Sequence, residues 1–92
     1  MIVRILSEGQ YRLNSTALDK LNDIDNQIVK IVASGDQQGY QSLFQKMIGL
    51  VRQQGTPVPE QELVESDVII PQADTSFEEA KSLFVGDGLV PD

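Results

Sequence analysis

Ninety-two residues are enough for one modest hydrophobic core, and the absence of cysteine and histidine rules out a disulfide framework, a thiolate nucleophile, an imidazole-ligated metal and a histidine base. The formal net charge of −7 is unevenly spread: residues 1–59 carry six basic and five acidic side chains, and residues 60–92 carry nine acidic ones against Lys81 alone. Such a balance excludes the Lys and Arg clusters that displace counterions from nucleic-acid phosphates or dock on anionic lipid.

The opening segment from Met1 to Leu13, MIVRILSEGQYRL, predicts a β-hairpin. A three-residue loop of Ser7, Glu8 and Gly9, with Gly9 at the left-handed position of a G1 bulge, sets Leu6 opposite Gln10, Ile5 opposite Tyr11, Arg4 opposite Arg12 and Val3 opposite Leu13. One face is then wholly apolar. A four-residue loop mixes apolar and charged residues on both faces, so the patterning favours the first register. It also opposes two cations, which is unfavourable across a strand pair and calls for an acidic group near Arg4 and Arg12. Ile2 and Leu6 flank these arginines on the outer face, an arrangement that suits an acidic amphipathic helix, with aliphatic contacts for affinity and guanidinium groups for orientation. Ile2, Arg4, Leu6 and Arg12 are therefore the candidate partner-binding residues. The competing reading is that the chain's own acidic segment, through Glu65 or Asp67, covers them.

Asn14, Ser15 and Thr16 then offer N-cap residues to a helix over 15–34, with Leu18, Leu21, Ile24, Ile28, Ile31 and Val32 at helical spacing. Gly35 supplies a left-handed stop and Asp36 the next N-cap, so a second helix over 36–54 follows directly and lies antiparallel to the first. Val29 and Leu50 widen the apolar arcs of this pair beyond what a three-helix core covers, which leaves room for a partner helix. Gly39 and Gly49 each cost the second helix up to ~1 kcal/mol, for which close backbone packing is one available compensation. Gly55, Thr56 and Pro57 end it.

From 56 to 74 the chain reads as an extended acidic crossover with one strand-like tetrapeptide, DVII at Asp67 to Ile70, placed to join the hairpin as a short edge strand. Thr75 with Glu78 and Ser76 with Glu79 both have capping-box spacing before a third helix over 76–85, which Gly86 or Gly88 ends. The tail Leu89, Val90 and Pro91 is expected to pack its two aliphatic residues back on the body. The sum is a single domain over 1–92 of the α+β class, mostly α and trihelical, with the hairpin occupying 1–13.

No motif carries catalytic chemistry. Asp23 and Asp25 flank Ile24 two apart on a helix, point away from each other and read as a solvated face. Glu78 and Glu79 fit the first turn of a helix, where the macrodipole favours anions. Glu60 and Glu62 sit among prolines without the spaced oxygen ligands of a calcium loop. Serines and threonines lack a base to activate them, and the glycines match no phosphate-binding loop. The expectation is no enzyme, with no catalytic, cofactor-binding or metal-ligating residue.

The segments MIVRILSEGQYRL, the helix pair hinged at Gly35 and Asp36, QGTPVPEQELVESDVIIP from Gln54 to Pro71, and DTSFEEAKSLFVGDGLVPD from Asp74 onward together resemble the PspA-associated protein family, PspAA. The resemblance spans essentially the whole chain and is most specific in IVRILSEGQYRL and SDVIIPQADTSFEEAKSLF. It implies a small, mostly helical domain associated with PspA, the coiled-coil membrane-remodelling protein of the phage shock envelope-stress response, and it transfers no catalytic residue. The expected function is a non-enzymatic adaptor or regulator that binds a PspA-like coiled coil through protein–protein contact, with no cofactor and no nucleic acid. The expected location is the cytoplasm, since no signal peptide or apolar run of spanning length is present, with recruitment to the inner face of the membrane through the partner. The alternative is a signalling or transcription-associated regulator acting on another protein, as a homodimer that buries a wide surface of the first two helices.

Overall fold

The computed structural model describes residues 1–90. Strands β1 (Ile2–Ile5) and β2 (Gly9–Arg12) form the N-terminal hairpin, followed by helices α1 (Ser15–Ser34) and α2 (Gln37–Gln54), strands β3 (Thr56–Pro57) and β4 (Val68–Ile70), and helix α3 (Phe77–Leu83). The fold is α+β and mostly α. Among the described residues the strands make one sheet in the order β3-β2-β1-β4, with β1 antiparallel to β2, β2 antiparallel to β3, and β1 parallel to β4. DVII thus joins the hairpin at an edge. The two-residue strand β3 is an addition that its Pro57 tolerates because it too lies at an edge.

The hairpin register differs from the expected one. Ile2 pairs with Arg12, Val3 with Tyr11, Arg4 with Gln10 and Ile5 with Gly9. The loop is Leu6, Ser7 and Glu8, one residue earlier than expected. Glu8 N–H donates to Ile5 C=O at 3.0 Å, and Ser7, not Gly9, takes the left-handed position at φ 69°. Moving the loop centre by one residue shifts the pairing by two, which keeps every side chain on its expected face; pattern alone cannot separate the two registers. Charge can. The adopted pairing takes Arg12 from opposite Arg4 to opposite Ile2.

The helices follow their caps. Asn14 Oδ1 accepts from Ala17 N–H at 2.8 Å to start α1, and Gly35 ends it at φ 80°. Asp36 Oδ1 accepts from Gly39 N–H at 2.9 Å to start α2. Gly39 is required there: a Cβ at that position would stand 2.5 Å from the Asp36 carboxylate. Gly55 closes α2 in an extended conformation rather than a left-handed one, and its lack of a Cβ serves packing, since a Cβ would meet Val51 C=O at 2.5 Å and Tyr11 Cβ at 2.8 Å. Of the two capping boxes only the second forms. Ser76 Oγ accepts from Glu79 N–H at 3.2 Å and Glu79 Oε1 faces Ser76 N–H at 3.5 Å. Thr75 instead turns back on Gln72 C=O. Phe84, ahead of the glycines, caps the end of α3.

The core lies between the inner sheet face (Val3, Ile5, Leu13, Val68, Ile70) and the facing stripes of α1 (Leu21, Ile28) and α2 (Phe44, Met47, Ile48, Val51), all buried in one cluster. Each fully buried aliphatic side chain contributes roughly 1.5–3 kcal/mol. Helix α3 is anchored by aromatic rings: Tyr40 stacks on Phe44 at 5.5 Å, Phe84 meets Phe44 edge-on at 6.0 Å, and Tyr40 Oη donates to Thr75 C=O at 2.9 Å. Burial, with the nearby Glu79 carboxylate adding to it, pushes the Tyr40 hydroxyl up to about 12.

One acidic residue departs from the expected solvated face. Asp25 is fully buried and accepts backbone N–H groups from Leu89 and Val90, each at 3.0 Å. A helical pattern cannot reveal a carboxylate whose partners arrive 64 residues later. Leu89 and Val90 pack on the core as expected, and Pro91 lies outside the described residues.

Candidate functional site

The outer sheet face is where the four candidate partner-binding residues were expected to meet. Ile2 keeps its place on this face but is buried at 8% exposure. The segment leading into β4 closes around it: Ile2 N–H donates to Asp67 Oδ2 at 2.8 Å, and Asp67 N–H donates to Ile2 C=O at 2.7 Å. Alongside, Gln10 Nε2 donates to Val64 C=O at 3.0 Å and to Ser66 Oγ at 2.8 Å, so the crossover lies over the β2 side of the sheet.

Arg12 finds its acidic partner in the same crossover, but it is Glu62, at 2.7 Å, rather than Glu65 or Asp67. Both side chains are about half exposed, so the pair fixes position more than it adds stability. Arg4 is different. It is half-buried, stands between Gln10 and Ile69 in the sheet, and makes no hydrogen bond or ion pair among the described residues. Leu6 lies on the same face at 45% exposure, and Ile69 at 53%. On this face Arg4, Leu6 and Ile69 are accessible, whereas Ile2 is buried and Arg12 is paired with Glu62.

Ile69 was not singled out from sequence, although the alternation in VII carried the signal: Val68 and Ile70 turn to the core, which sends Ile69 outward. Beside Arg4 a trough of about 620 Å³ runs between the hairpin and residues 57–64, bounded by Glu8, Glu60 and Glu62 and by Leu63, which is almost wholly exposed. The tip of the hairpin is held to α2. Arg52 Nε donates to both Glu8 carboxylate oxygens at 3.1 and 3.0 Å, and Tyr11 Oη donates to Glu8 Oε2 at 2.8 Å. The Arg52 guanidinium, with help from Tyr11, holds the Glu8 carboxyl below its ordinary range, and the same carboxylate raises the Tyr11 hydroxyl.

Chemically, the face offers a guanidinium group that makes no ion pair among the described residues, next to aliphatic side chains, and among those residues no group of three or more Asp or Glu side chains gathers as a metal ion would need. Among those residues no helix is long and apolar enough to cross a membrane.

Neither the curated proteins nor the solved structures include a match to this chain. The family model of the PspA-associated protein, PspAA, matches residues 1–92, the full length of the sequence, and the chain belongs to that family.

Proposed function

We propose that this protein is a non-enzymatic adaptor or regulator that binds a PspA-like coiled-coil protein in an envelope-stress response at the cytoplasmic side of the membrane, to which the partner recruits it. Family membership over the full length carries the reading, since the family is that of PspA-associated proteins. The outer sheet face supports it physically. In a chain of net charge −7, Arg4 makes no ion pair among the described residues and stands near the exposed Leu6 and Ile69, which suits it to the acidic flank of an amphipathic helix. Of the four residues expected to bind, Arg4 and Leu6 are the ones this proposal retains as direct contacts; Arg12 acts by holding Glu62 and the crossover in place, and Ile2 by supporting the sheet.

Co-purification of the full-length protein with full-length PspA from the same organism tests the reading. Association that weakens with salt, and weakens further on Arg4→Glu, is expected; no association at any ionic strength overturns it.

A further inference from the structure

A second surface lies along the seam of α1 and α2. There a groove of about 570 Å³ is lined by Ile24 and Leu50, with Lys20 and Asp23 on the α1 rim and Lys46 on the α2 rim. Gly49 lies in the same groove, inside α2. Glycine at a helix interior costs up to ~1 kcal/mol relative to alanine, and at the other glycines of the two-helix unit a cause is visible. Gly35 has a positive φ, Gly39 makes room for the Asp36 cap, and Gly55 packs against Tyr11. At Gly49 there is none: φ is not positive, and no atom comes within 4 Å of the place a Cβ would occupy. Nothing within the described chain calls for glycine here. What its missing side chain does provide is close approach from outside.

The charges on the rims point to what approaches. Lys20 and Lys46 make no ion pair or hydrogen bond among the described residues, and against Asp23 they leave the groove at +1 in a chain that is −7 overall. A helix with acidic flanks is attracted.

We infer that this groove receives a helix of the PspA-like partner, its apolar stripe on the partly exposed Leu50, its closest approach over Gly49, and its acidic flanking residues beside Lys20 and Lys46. The inference rests on the proposed function and adds to it: the groove supplies buried area, and Arg4 on the sheet supplies orientation toward a partner with more than one helical flank.

The test titrates full-length PspA-family protein from the same organism against the full chain as wild type, Gly49→Ala, Gly49→Leu and Lys20→Glu/Lys46→Glu, with thermal melts on each. Gly49→Ala should raise the melting temperature yet weaken binding several-fold, a combination a merely structural glycine does not give. Gly49→Leu should weaken binding tenfold or more, and the double charge reversal should do the same while flattening the salt dependence. If the wild type binds and all groove variants stay within twofold of it, the groove is overturned and the functional reading stands. A wild type that does not bind at all overturns both. Sedimentation showing a wild-type dimer that Gly49→Leu converts to monomer assigns the groove to a second copy and overturns the inference.

Discussion

The buried Asp25 side chain on α1 accepts the backbone N–H of Val90 at 3.0 Å, and that of Leu89 at the same distance, so the segment after α3 is tied to the first helix through a buried polar group. A buried polar group is tolerated where such donors compensate its desolvation. Asp25→Ala leaves those N–H groups without their acceptor and is expected to cost roughly 2–4 kcal/mol, read from the urea midpoint. Hydrogen exchange at Leu89 and Val90 should accelerate ahead of that of the α1–α2 core. Stability within about 0.5 kcal/mol of wild type would show that the clasp is incidental.

Gly88 and Gly35 share nearly the same backbone angle, φ 82° and 80°, but not the same surroundings. At Gly35 a Cβ would meet nothing within 4 Å, whereas at Gly88 it would stand 2.4 Å from Asp25 Oδ2. Gly35→Ala should therefore cost about 1–2 kcal/mol, the strain of a left-handed residue alone. Gly88→Ala should cost clearly more, because the Asp25 clasp must also move. Equal losses in chemical denaturation of the two variants would contradict this.

Glu8 titrates below its ordinary value of 4.5 because Arg52 and Tyr11 hydrogen-bond to its charged form. A lowered folded-state value means a stabilising contribution that is complete above the ordinary value and fades as pH falls through the lowered one. Glu8→Gln should thus be less stable than wild type at pH 7, and the difference should narrow as pH falls below 4.5. Thermal melts of both proteins across that range provide the measurement, and a gap that persists at low pH would mean that Glu8 acts other than through its charge.

Tyr40 behaves with the opposite sign. Its hydroxyl is pushed up from 10.0 to about 12, so its contribution is complete below pH 10 and is lost as pH rises toward 12, where the unfolded chain has released the proton and the folded chain has not. Tyr40→Phe should flatten the alkaline limb of the stability profile. At neutral pH the same variant should lose about 1 kcal/mol with the bond to Thr75 C=O. An alkaline limb unchanged by Tyr40→Phe would assign it to other groups.

Elements whose boundaries are written in local chemistry were legible in the sequence. Asn14, Gly35, Asp36 and the Ser76–Glu79 box each act within four residues of themselves, and each starts or stops its helix as read. What escaped depends on contacts across the chain. The hairpin register was ambiguous because two registers present the same faces, and the tie of Glu8 to Arg52 lies 44 residues away. Asp25 looked like a solvated acid because its partners belong to the last described residues. The candidate site was half legible for the same reason. Arg4 and Leu6 follow from strand alternation, whereas the burial of Ile2 and the pairing of Arg12 with Glu62 are consequences of where the crossover lies.

Strand β1 pairs on one side with β2, a few residues downstream, and on the other with β4, whose Val68 lies opposite Val3. Non-local pairing of this kind is slow to form, since the loop between the strands must close before the contact gives anything back. During synthesis the hairpin and both long helices can emerge and associate while one edge of β1 is still waiting. A nascent or truncated chain that stops short of residue 68 therefore displays an open strand edge with valine and isoleucine beside it, the template on which misassembly begins.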